Sequence, residues 1–128
     1  MDHWTELLYD AKPIKSVYGS KLPELDSVTL TQMDLQSDGP GVLLSLDLHA
    51  LPDHPPSNWP SFNRVNIKLM AWNVRKLLIN GWEDYTRINL GVRKEEGLVH
   101  LFADNEAIHI DILSRTLYIQ HMYGYMHE

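Results

Sequence analysis

Apolar residues along this chain recur mostly at every second position, the spacing of strands that bury one face. In SVTLTQMDLQS (Ser27–Ser37), Val28 and Leu30 hold one phase and Met33 and Leu35 the other. The phase change near Gln32 predicts a β-bulge that bends one strand between faces. SDGPG (Ser37–Gly41) reads as a turn, because its glycines accept positive φ and Pro40 cannot extend a ladder. VLLSLDLH (Val42–His49) alternates again, with Val42, Leu44, Leu46 and Leu48 against Leu43, Ser45, Asp47 and His49, so that His49 ends a strand on its polar face.

The same period marks FNRVNIKLMAW (Phe62–Trp72), VRKLLIN (Val74–Asn80) and TRINLGV (Thr86–Val92), and RKEEG (Arg93–Gly97) follows as a charged turn. LVHLFAD and AIHIDIL form a hairpin around Asn105, and RTLYIQHM (Arg115–Met122) closes the series. About eight short strands with turn chemistry between them predict an all-β, antiparallel sandwich or open barrel. Only the beginning has helical spacing: Trp4, Leu7, Leu8 and Ala11 fit one face, with Asp2 as N-cap and Lys12-Pro13 as the stop. No repeat or linker divides residues 1–128, so one domain is expected.

Composition narrows the function classes. There is no cysteine among 128 residues, which removes disulfide frameworks, thiolate metal sites and cysteine nucleophiles. The net charge of −6, from 11 Lys and Arg against 17 Asp and Glu, argues against a nucleic-acid binder. It suits an encounter with a basic partner. MDHWTELLYDAKPIKS carries acids early and lacks the apolar run of a signal peptide, and no stretch approaches the roughly 20 apolar residues of a membrane helix. The expectation is a soluble cytoplasmic protein without membrane contact.

Histidine is the residue type with most chemical capacity here. In the hairpin, Val99, Leu101 and Ala103 must share the core face with Ile108, Ile110 and Ile112, which leaves His100 and Phe102 opposite with His109 and Asp111. A turn at Asp104-Asn105 puts His100 across from His109, and one at Asn105-Glu106 puts it across from Asp111. Such a trio has metal-ligand chemistry, but no HExxH or short-spaced ligand set accompanies it, and a solvated sheet face is the simpler reading. No metal and no cofactor are therefore expected. There is no GxSxG elbow, and the Gly39-to-Gly41 spacing falls on a hairpin, where it cannot cradle phosphate.

LPDHPPSNWP (Leu51–Pro60) collects Asp53, His54 and Trp59 among four prolines. Fixed φ values make it run extended, which holds a shape without converging side chains on a point. Trp59 is read as its anchor. INGWED (Ile79–Asp84) ends a strand with Gly81 and Trp82 beside Glu83 and Asp84, either a packed bend or a recognition edge.

Several of these pieces, in their order, resemble the immunity protein 50 family of bacterial polymorphic toxin systems. They are Trp4-Thr5-Glu6-Leu7-Leu8, SVYG (Ser16–Gly19), LPELDSVTL (Leu22–Leu30), DGPGVLLSLDL (Asp38–Leu48), the Pro52, Pro55, Pro56, Trp59 run, the strand with Asn63, Val65 and Ile67, and INGW (Ile79–Trp82). The resemblance spans nearly the whole chain and implies a cytoplasmic protein, not an enzyme, that binds and neutralises a protein toxin. By residue character, contacts are expected at Asp53, His54, Trp59, Trp82, Glu83 and Asp84, with acids matching a basic toxin surface by steric block. The alternative reading is a small-ligand or carbohydrate-binding β module with tryptophans exposed in a groove.

Overall fold

The structure is a computed structural model and describes residues 3–127. Seven strands form one antiparallel sheet: β1 (Val28–Gln36), β2 (Gly41–Leu48), β3 (Arg64–Asn80), β4 (Thr86–Ile88), β5 (Gly91–Glu95), β6 (Leu98–Asp104) and β7 (His109–Tyr125). Their order across the sheet is β4-β1-β2-β3-β7-β6-β5, and the sheet curls into a half barrel. The all-β, antiparallel expectation holds, and of its two forms the curled open sheet is the one adopted.

The strand count differs from eight for a physical reason. FNRVNIKLMAW and VRKLLIN are one strand, β3, and AIHIDIL and RTLYIQHM are one strand, β7. Asn73 takes φ 59, and the β3–β7 register shifts between Val74 and Lys76. The buried phase changes on both strands at this level, from Ala71 to Val74 and from Leu117 to Ser114. A paired bend therefore interrupts the alternation without ending the strands. TRINLGV does the reverse. It splits into β4, which pairs with β1, and β5, which pairs with β6 on the far edge. RKEEG is also shorter as a turn: Arg93–Glu95 belong to β5, and only Glu96 and Gly97, both at positive φ, make the corner. The bulge predicted near Gln32 is present, as a register shift between Leu30 and Gln32.

At the N-terminus the helical expectation is displaced by one element. Trp4–Leu7 is a single 3₁₀ turn capped by His3, and the α-helix α1 is Lys12–Tyr18. Lys12-Pro13 thus starts the helix and does not stop one, because proline in the first turn forfeits no hydrogen bond and presets φ. Asp2 lies outside the described residues. Ile14, Val17 and Tyr18 are the buried face of α1. With Trp4, Leu8 and Leu25 they join the apolar side chains of the sheet, including Leu44, Leu46, Ile67 and Ile110, in one core. Trp4 donates its indole N–H to Pro23 O at 2.8 Å, so that burying the ring leaves no polar atom unpaired.

The central strand departs from a simple inside–outside alternation. All of β2 is buried, including Leu43, Ser45 and Asp47 on the face opposite the core. Neighbours on that face cover it: Lys68 Nζ donates to Ser45 Oγ at 2.9 Å, Asn66 Nδ2 donates to Asp47 Oδ1 at 2.9 Å, and the Tyr125 hydroxyl donates to Asp47 Oδ2. Burial and the Asp47 carboxylate push the Tyr125 hydroxyl well above its ordinary pKa, which keeps it a donor.

Candidate functional site

The hairpin histidines are separated by the loop between them. Asp104 pairs with His109, so the loop is four residues, Asn105–Ile108, and neither two-residue turn is formed. Asn105 Oδ1 accepts from the backbone N–H groups of Ala107 and Ile108, at 2.7 and 3.0 Å, which closes a side-chain turn and lets Ile108 enter the core. His100 therefore lies opposite Leu113 and reaches Asp111 diagonally, Nε2 to Oδ1 at 2.7 Å, while His109 meets Asp104 at 3.2 Å. On its other side His100 Nδ1 is 3.0 Å from Glu95 Oε2, off the line of a hydrogen bond. Lys76 Nζ is 3.1 Å from Asp111 Oδ2, and Arg93 is 3.6 Å from Glu95. The result is a row of alternating basic and acidic side chains across β3, β7, β6 and β5. Hydrogen bonds from His100 and Lys76 hold the Asp111 carboxyl below its usual range. Among the described residues no group of three or more His, Cys, Asp or Glu is assembled to hold a metal.

The proline-rich loop divides into an anchor and an exposed stretch. Trp59 packs edge-on against Phe62 with ring centroids 5.5 Å apart, and a side chain added at Gly124 would come within 2.8 Å of it. The bareness of Gly124 is what lets the indole lie on β7. Asp53 and His54 are exposed and border a shallow cleft with Ser16–Lys21 at the end of α1. The structure does not bring them into the clefts that Trp82, Glu83 and Asp84 border.

Trp82, Glu83 and Asp84 share the loop from β3 to β4, and there they stand beside a residue that sequence reasoning missed, Tyr85. Gly81 takes φ 81 and lies so close to the hairpin loop that an added Cβ would sit 2.4 Å from Ala107 O. The Thr86 hydroxyl accepts from Glu83 N at 3.0 Å and donates to Glu83 O, and Asn105 Nδ2 donates to Arg87 O at 3.0 Å. The loop is thereby fixed as a ridge between two clefts. One, of about 610 Å³, is bounded by Glu83–Arg87 and Asn105–Ala107. The other, of about 530 Å³, lies between Trp82–Tyr85 and Leu30-Thr31 of β1. Tyr85 follows INGWED directly, so the signal was adjacent. Glu106, which borders the same cleft, arrives only through the tertiary contact with the hairpin loop.

Of the four tryptophans, only Trp82 is exposed. Trp4 is in the core, Trp59 and Trp72 are partly buried, and a side chain added at Gly41 or Gly39 would meet the Trp72 ring. Among the described residues a single tryptophan, Trp82, borders a cleft as an exposed ring, where the carbohydrate-binding alternative predicts several in a groove.

The sequence model of one family, immunity protein 50, matches residues 10–125. The chain belongs to the immunity protein 50 family. Its fold also resembles the crystal structure of an uncharacterized protein from Neisseria gonorrhoeae, at 15% identity and a TM-score of 0.51, over 75% of this chain and 92% of that one. At that identity the likeness bears on the fold alone. No curated protein matches the chain. No helix among the described residues is long and apolar enough to cross a membrane.

Proposed function

We propose that this immunity protein acts in the cytoplasm by binding a cognate protein toxin and blocking its working surface, without catalysing a reaction of its own. The family match over residues 10–125 carries the reading. The fold supports it in kind: a rigid β scaffold presents exposed loops, of which two hold Asp53, His54, Trp82, Glu83 and Asp84, and the net charge of −6 favours encounter with a basic toxin. Steric block requires a stable interface, of about 1,200–2,000 Å² in complexes of standard size.

Co-expression with the toxin domain encoded beside this gene tests the reading. Growth is expected to be rescued, and the two proteins are expected to co-purify. Continued killing, with no complex recovered from cells that contain both, would count against it.

A further inference from the structure

We infer that the ridge Trp82–Tyr85, together with Glu106, is the surface that receives the toxin, and that the toxin face it fits is a basic protein surface with recesses for two aromatic rings. The inference rests on the toxin-binding reading and adds where and by what chemistry the contact is made.

Three independent features of the ridge converge. The first is its exposed aromatic area. Trp82 is 46% and Tyr85 66% exposed, three positions apart on one short loop. Tryptophan and tyrosine supply much of the binding energy at protein interfaces, because a large ring with few rotors is ordered at small entropic cost.

The second is the backbone of Tyr85, which holds φ 51. That conformation is ordinary for glycine or asparagine and costly for a bulky side chain. The folded core gains little from the ring, which is mostly in solvent and meets His127 edge-on at 6.0 Å. A glycine would serve the turn better. What tyrosine adds is a ring aimed outward from a loop that Gly81, Thr86 and Asn105 already hold in place. A contact surface fixed before binding loses less freedom on association.

The third is charge. Glu83, Asp84 and Glu106 border the first cleft with Arg87 as the one cation, a local excess of carboxylates. Phosphate groups would be repelled there, whereas lysine or arginine side chains at the edge of a partner's recess would be matched. The clefts on either side of the ridge give such side chains room.

The test is titration of the purified, catalytically inactivated toxin domain encoded beside this gene into wild-type protein and four variants. Tyr85→Gly should weaken binding about 10-fold or more while leaving the thermal midpoint unchanged or higher, since the strain leaves with the ring. Trp82→Ala should weaken it comparably. The double variant Glu83→Lys, Asp84→Lys should slow association at low salt, and the deficit should shrink as salt is raised. Asp38→Ala, in the exposed turn between β1 and β2 and off the ridge, should bind within about 2-fold of wild type, because contacts outside a hot spot are near neutral. If wild type binds and all the ridge variants bind as tightly, the ridge is not the contact face, although toxin binding stands. If wild type itself does not bind, the toxin-binding reading falls and the inference with it.

Discussion

Single side chains separate what packs from what is free to act. Trp59 and His54 stand five positions apart in one loop with opposite roles. Trp59 lies partly buried against Phe62 and over the bare backbone of Gly124, so Trp59→Ala should cost about 3 kcal/mol of unfolding free energy, the lower end for large aromatic truncations. His54→Ala, at an exposed site, should stay within about 0.5 kcal/mol. Urea denaturation of both variants checks the contrast. His49 carries a pH signature. Burial, with Arg64 and Arg87 nearby, lowers its pKa below the ordinary value, and its Nε2 is enclosed without a partner. The native state thus binds this proton less readily than the unfolded chain does. Stability from this site is full above about pH 6.5 and falls as the pH drops through that value toward the lower native one. His49→Gln should flatten the loss of stability between about pH 7 and 5, read as the urea midpoint against pH.

Elements were legible where one face alone is buried, and less so where tertiary packing redirects the chain. The core face of the β6–β7 hairpin follows from alternation: Val99, Leu101, Ala103, Ile108, Ile110 and Ile112 are all buried. The hairpin register does not, because Asn105 builds a four-residue loop that periodicity cannot distinguish from a two-residue turn. Strands β3 and β7 read as four because their shared bend at Asn73 reverses the buried phase. Ser45 and Asp47 read as a polar face, yet Lys68 of β3 covers Ser45, and Tyr125, far along the chain on β7, covers Asp47. The ridge was half visible: Trp82, Glu83 and Asp84 stood out by character, whereas the clamp on Ala107 and the conformation of Tyr85 are set by the fold. The β5–β6 corner offers a direct test of turn chemistry. Glu96 sits at φ 50 before Gly97, where asparagine is the better residue. Glu96→Asn should raise stability by about 0.5 kcal/mol without changing the denaturant slope.

For the whole molecule, a single curled sheet has its core closed by α1 and the 3₁₀ turn, and the proposed recognition falls to its exposed loops. The acidic surface should act on the rate of encounter more than on the lifetime of the complex. Association should therefore slow as ionic strength rises, while dissociation changes little. Isothermal titration of the wild-type protein with the inactivated toxin domain encoded beside its gene tests the central claim most directly. A saturable heat at a fixed stoichiometry, with an affinity that weakens as salt is raised, is the predicted result. No heat of binding at any salt concentration, under conditions where both proteins are folded, would contradict it.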